Sequence, residues 1–255
     1  MDLGLHDRVA IVTGSSRGIG RAAALLLAKE GARIVVTYHR QQTAAEGVLT
    51  EIANHGGDGI AVHLDLNSIE SIHAAARTAL ERWNRIDILV NNAVQWSDRQ
   101  LSQMPLFEQL PSDEWRGFIR ANLDGPYAAI QAVLPAMRAQ RWGRIVNVSS
   151  GIAVDGMPGS GPYAASKAAL HGLTRTLAKE LGPAGILVNV VMPGATLTER
   201  NLARLPAERL DTLAKASPIR RLLTPAEVVP TIAFLCSAIN TAVTGEIIRA
   251  SGGIT

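Results

Sequence analysis

Short β-branched runs alternate with stretches of helical periodicity along the whole chain, and that alternation constrains the fold more than any other feature. Residues 8–12, 33–38, 60–64, 86–90, 144–148, 186–192 and 246–249 each read as a strand, because Val and Ile suit a buried pleated surface. Between them, residues 21–30, 43–55, 68–84, 111–140, 162 onward and 224 onward place apolar side chains at helical spacing. Ser68, Pro111-Ser112-Asp113-Glu114 and Thr224-Pro225-Ala226-Glu227 supply helix starts, and Gly31 and Gly56-Gly57 supply stops. Strands joined through helices require right-handed crossovers, so the expectation is an α/β doubly wound fold with a parallel sheet covered on both faces. No linker or internal repeat interrupts the pattern, and one domain over residues 1–255 is expected. Two less regular stretches, about 94–110 and 194–218, stand out as candidate substrate-binding loops; residues 198–215 in the second read as polar, helical and mobile.

Composition removes several classes. Apolar residues make up 47% and charged residues 18%, as in an ordinary globular protein, and the net charge is only +3. The arginines are scattered, with Arg220-Arg221 the densest point, so nucleic acid is not an expected partner. The single cysteine, Cys236, lies in an apolar run and reads as a buried small hydrophobe. The six histidines show no ligand spacing, so no metal site is expected. No run of 18 uncharged apolar residues occurs and the first five residues lack a signal pattern, which makes a cytoplasmic protein with no membrane partner the default expectation.

Five of the seven strand runs end in residues suited to ligand contact: Gly14, Asp65, Asn91-Asn92, Ser149-Ser150 and Pro193-Gly194. In doubly wound sheets the carboxyl ends of the strands form the ligand crevice. After the first strand, Thr13-Gly14-Ser15-Ser16-Arg17-Gly18-Ile19-Gly20 has the makings of a phosphate cradle. Gly14 and Gly18 let the backbone approach a pyrophosphate, and Gly20 lets the helix sit against the strand with its N-terminal amides turned to the anion. The second strand ends in Thr37-Tyr38-His39-Arg40 without the acid that would bind the ribose hydroxyls of NAD. Arg17 and Arg40 instead suit a 2′-phosphate, which favours NADPH over NADH. Asp65, ending the third strand, could take the adenine amino group or simply form a turn.

The chemistry centres on Ser149-Ser150 and on Tyr163-Ala164-Ala165-Ser166-Lys167. Pro162 suits the first position of an Ala-rich helix, and Tyr163 and Lys167, four apart, share one face of it. An ammonium beside a phenol is expected to draw its pKa below the usual value of about 10, making a proton donor, and a serine hydroxyl from the strand end could hold a carbonyl oxygen against it.

Assembled in this order, the motifs resemble those of the short-chain dehydrogenase/reductase family over essentially the whole chain. The resemblance implies a Rossmann sheet of seven strands in the order 3-2-1-4-5-6-7. It implies a catalytic set of Asn122, Ser150, Tyr163 and Lys167; the register of thirteen residues to Tyr163 selects Ser150 over Ser149. The cofactor residues it implies begin with Gly14, Ser16, Arg17, Gly18, Ile19 and Gly20. Tyr38, His39, Arg40, Asp65 and Leu66 follow at the adenosine end. Asn92, Ala93, Tyr163, Lys167, Pro193, Gly194, Thr196 and Thr198 complete them, with Thr198 on the nicotinamide carboxamide. In the family pattern Asn122 orders a water that feeds protons towards Lys167. Val94, where the pattern has glycine, would narrow the space near the nicotinamide ribose or the substrate, and Ser251 stands where many members carry Asp. The pocket walls implied are Val94, Trp96, Ile152, Met157 and Ala195, mostly apolar. The branch most resembled is that of 3-oxoacyl-carrier-protein reductases, in which Arg141 and Lys179 match positions that dock the acidic carrier. A homotetramer (or dimer) is the family expectation, through the helices bearing Asn122 and Tyr163 and the C-terminal helix and strand. An NAD-dependent alcohol, polyol or hydroxysteroid dehydrogenase, and more remotely a non-catalytic dinucleotide-binding protein, are the alternatives.

Overall fold

The computed structural model describes residues 2–97, 99 and 103–254. Its frame is a seven-stranded sheet with strand order 3-2-1-4-5-6-7. The strands are β1 (Val9–Val12), β2 (Arg33–Tyr38), β3 (Gly59–His63), β4 (Ile88–Asn91), β5 (Gly143–Val148), β6 (Ile186–Pro193) and β7 (Ile247–Ala250), and every neighbouring pair is parallel. Side chains alternate across a strand, so each apolar run feeds two cores. Ala10, Val12, Ile34, Val36, Val146 and Val148 pack with α1 (Gly18–Lys29), α2 (Gln42–Asn54) and α10 (Pro225–Cys236). Val9, Ile11, Val35, Leu89 and Ile145 pack on the other face with α3 (Ile69–Trp83), α5 (Gly125–Gln140) and the end of α7 (Gly161–Leu181). Cys236 is fully buried in the first core, and no helix among the described residues is long and apolar enough to cross a membrane.

Helix boundaries follow local chemistry, with three departures from the sequence expectation. The segment expected as one long helix over 111–140 is α4 (Ser112–Ile119), a π-helical turn (Arg120–Asp124) and α5. Pro126 has no N–H, so the Asn122 carbonyl four residues earlier lacks its α-helical donor, and the backbone widens until Gly125 N–H reaches the Arg120 carbonyl. The glycine-rich stretch after Ser150 holds a one-turn helix, α6 (Ile152–Asp155), before Gly156 turns the chain at φ +72°. The helix expected over 198–215 is two, α8 (Glu199–Arg204) and α9 (Ala207–Ala216), because Pro206 biases Leu205 to the extended backbone it adopts. Asp98 and residues 100–102 of the expected 94–110 loop lie outside the described residues.

Candidate active site

At the carboxyl edge of the sheet, β1 runs straight into the glycine turn. Gly14 and Gly18 take φ +64° and +58°, a region glycine enters without steric cost. A Cβ on Gly14 would stand 2.9 Å from Ala93 Cα, and one on Gly20 would collide with the Asn92 amide and the Gly14 carbonyl. The turn, α1 and the end of β4 therefore meet backbone to backbone. Hydroxyls fix that contact. Gly14 N–H donates to Thr37 Oγ1 at 2.8 Å, Thr37 N–H to Ser15 Oγ at 2.9 Å, and Ser15 Oγ to the Val12 carbonyl at 2.7 Å. Asn92 and Ala93 N–H both donate to Thr13 Oγ1 at 2.9 Å, while Asn92 Nδ2 donates to the Thr13 and Gly14 carbonyls. Thr13, Ser15 and Thr37 lie in the stretches the sequence singles out, but their role of locking the turn to the strand ends was not read from it.

The first turn of α1 carries no acid, and Arg17 at its N-cap makes no side-chain cap. The Gly18 N–H instead donates to Glu199 Oε2 at 3.1 Å, so a carboxylate from α8 stands where an anion is favoured. Glycines that admit no side chain, and a helix start that already attracts an anionic oxygen, fit the pyrophosphate of a dinucleotide. Arg17 is exposed, as are His39 and Arg40 beyond β2, and the Tyr38 and His39 rings lie 5.9 and 5.7 Å from His63. Asp65 takes the turn-forming role: its Oδ1 accepts from Asn67 N–H at 2.9 Å, which with the Asn67 side chain lowers its pKa. Its Oδ2 faces His39 Nε2 at 3.8 Å.

Ser150 follows β5, and Tyr163 and Lys167 lie one turn apart on α7, 8% and 2% exposed. Ser150, half-buried, lies close enough to the phenol to lower its pKa, so the expected pair of hydroxyls is brought near each other. Lys167 Nζ donates to the Val148 carbonyl at 2.7 Å, and desolvation brings its pKa down to about 8. The expectation that Lys167 holds the phenol below its ordinary value is not met. Burial raises the Tyr163 pKa, against smaller lowering effects of the nearby Ser150 hydroxyl and the Arg200 charge. Part of that burial is a roof: the Trp96 ring stands edge-on to Tyr163 with centroids 4.1 Å apart.

That roof is tied down from three sides. Asn122, on the π-helical turn, accepts from Gln95 N–H and donates Nδ2–H to the Gln95 carbonyl, both at 2.8 Å. Its side-chain amide thus positions the segment that contains Gln95. Asn67 Nδ2 donates to Gln95 Oε1 at 3.2 Å. From α8, Arg204 donates to the Ser97 carbonyl at 2.8 Å, and Arg200 Cζ lies 5.8 Å from the Trp96 ring. Val94 is 39% exposed; Ile152, Met157, Gly194 and Ala195 are half-buried, Pro193 and Thr196 buried, and Thr198 caps α8 by accepting from Asn201 N–H. Ser16 and Ile19 lie half-buried in the cradle, and Leu66 packs against Gly125. Beside Ser150, Ser149 Oγ lies 2.8 Å from His171 Nε2, a pair absent from the sequence reading. Arg141 and Lys179 are exposed at the carboxyl ends of α5 and α7. Lys179 stands roughly 24 Å along α7 from Tyr163 at 1.5 Å per residue.

Sheet order, glycine cradle and the Ser–Tyr–Lys cluster together define a dinucleotide-binding α/β oxidoreductase. The chain belongs to the short-chain dehydrogenase/reductase family: a family model described as enoyl-(acyl carrier protein) reductase matches residues 14–255. It is 39% identical over 251 residues, 98% of each chain, to a 3-oxoacyl-[acyl-carrier-protein] reductase of Synechocystis sp.. It is also 39% identical over 255 residues, 100% of each, to one of Aquifex aeolicus. Among solved structures, a dehydrogenase/reductase from Sinorhizobium meliloti 1021 matches with TM-score 0.91 and 32% identity, over 100% of this chain and 97% of that one. A 7α-hydroxysteroid dehydrogenase complexed with NADH and 7-oxo glycochenodeoxycholic acid matches with TM-score 0.92 and 33% identity, over 100% and 96%.

Proposed function

We propose that this protein is an NADPH-dependent carbonyl reductase acting on an apolar ketone such as a 3-oxoacyl thioester, with Tyr163 as the proton donor. The observation that carries this is the approach of the Ser150 hydroxyl to the buried Tyr163 phenol, one helical turn from the buried Lys167. Two hydroxyls converging on one point suit a single carbonyl oxygen whose negative charge grows during reduction. Burial keeps the phenol protonated at neutral pH, the state a general acid needs. Lys167, with a pKa brought to about 8, remains largely cationic at pH 7 and restores a proton to the phenol's side of the cleft. The glycine cradle and the α1 amides would hold NADPH, with Arg17 and Arg40 suited to its 2′-phosphate, and the cofactor would supply the hydride. The names of the curated relatives support the thioester substrate, and the missing acid at the end of β2 supports the 2′-phosphate. We also read residues 1–255 as one domain, of a cytoplasmic homotetramer.

The hydroxysteroid dehydrogenase relative, complexed with NADH, favours a second reading: an NAD-dependent dehydrogenase of a cyclic alcohol. Initial rates with β-ketoacyl thioesters and cyclic ketones, each with NADPH and NADH, separate the two. Tyr163→Phe is expected to bind NADPH with unchanged affinity while turnover falls by about 10² to 10⁴, the usual weight of a general acid. An active Phe variant overturns the assignment.

A further inference from the structure

We propose that Glu199 is an internal competitor for the cofactor, its carboxylate holding the amide at the start of α1 until the dinucleotide's phosphate displaces it. This rests on the reading above that the cradle binds a dinucleotide. Glu199 Oε2 accepts from Gly18 N–H at 3.1 Å across 181 positions of sequence, so the contact is tertiary and not part of a local cap. The methyl of Thr198 lies 3.4 Å from where a Gly18 Cβ would be. Thr198 caps α8 through Asn201 N–H, and Asn201 Nδ2 donates to the Thr196 carbonyl at 2.8 Å. The segment from Thr196 to Asn201 is thereby folded down onto the glycine turn, with the acid at its leading edge.

A carboxylate and a phosphate want the same thing from a helix N-terminus, and two anions cannot share one amide without repulsion. Glu199 is exposed, so swinging it into water costs little. The same short helix holds the roof over Tyr163 through Arg204 on the Ser97 carbonyl and Arg200 against Trp96. Displacing Glu199 therefore removes the hydrogen bond between α8 and the cradle, one of the contacts by which that helix rests on the glycine turn.

The test measures affinity, not turnover. NADPH binding is titrated by fluorescence at fixed ionic strength for wild type, Glu199→Gln and Glu199→Ala, with inorganic pyrophosphate as a competing probe. Both variants are expected to bind NADPH about fivefold tighter, the weight of one charge interaction at a helix end, and pyrophosphate to compete better in both. Cooperative thermal melts establish that the variants are folded, and either one suffices. Affinity that is unchanged within twofold, or weaker, in a folded variant overturns the competitor role and leaves Glu199 as the acid that starts α8. Failure of the wild type itself to bind either pyridine nucleotide overturns the reading of the site on which the proposal stands.

Discussion

Lys167 carries a charge into a place that resists it. Its Nζ is satisfied by one carbonyl, that of Val148, and desolvation brings its pKa from 10.5 to about 8. The folded state therefore binds fewer protons than the unfolded state between those two values, and stability rises with pH across that window. Below about 8 the full penalty is present; towards 10.5 it vanishes. A neutral isostere feels none of this. In urea unfolding, the stability of wild type relative to Lys167→Met is expected to improve by about 2 to 3 kcal/mol between pH 7 and pH 10, since each pKa unit is worth about 1.4 kcal/mol. A pH-independent difference between the two proteins would mean that the ammonium is solvated. The spacing of Tyr163 and Lys167 made their shared helix face legible in the sequence. The direction of the phenol's shift was not, because it is set by burial, and part of that cover, Trp96, comes from 67 positions away in the chain.

Among the elements, the interruption between α4 and α5 does most to shape the cleft. The helical periodicity over 111–140 was readable, but the π-helical turn that widens it was not read, although Pro126 was the signal. That turn presents Asn122, fully buried, to the backbone of Gln95, where it makes the reciprocal pair of hydrogen bonds. Because Gln95 lies in an irregular segment, its N–H and carbonyl have no sheet or helix partner to fall back on. Asn122→Ala is expected to destabilise the protein by about 2 kcal/mol, the cost of leaving such groups unpaired. Amide hydrogen exchange at Gln95 should rise selectively, with protection in α5 retained. Loss of protection throughout α5 would show instead that the turn itself had collapsed. The division of α8 from α9 at Pro206 belongs to the same lesson: the proline was visible, but where α8 would dock depended on the glycine turn, far away in sequence.

For the whole molecule, the two edges of the sheet divide the labour. Alternation of strand and helix predicted the sheet, and the strand ends predicted the edge at which the candidate site forms; the opposite edge went unread because its chemistry is a matter of buried charge. There, Asp87 is fully buried and accepts from Val9 N–H at 2.9 Å, from Arg8 at 2.8 Å, and from Arg85 through two bonds of 2.8 Å. Arg8 and Arg144 lie against the Trp142 ring at 3.9 and 4.3 Å, and Arg144 donates to the Ser237 and Asn240 carbonyls, closing the chain after α10 onto β5. The hydrogen bonds and arginine charges hold the Asp87 pKa below 3.8 against the burial that would raise it. A depressed carboxylate contributes its stability above the unfolded value and loses it as the pH falls through the folded one. Removing one partner of such a cluster strands the others, so Asp87→Asn is expected to cost about 3 kcal/mol at neutral pH. That gap should narrow below about pH 4, where the wild-type carboxylate begins to lose its advantage. Because the cluster lies across the sheet from Tyr163, KM for ketone and cofactor should stay within twofold of wild type in the folded variant. A large rise in either KM, with the melt still cooperative, would mean that the two edges are coupled and that the stabilising edge also sets the geometry of the cleft.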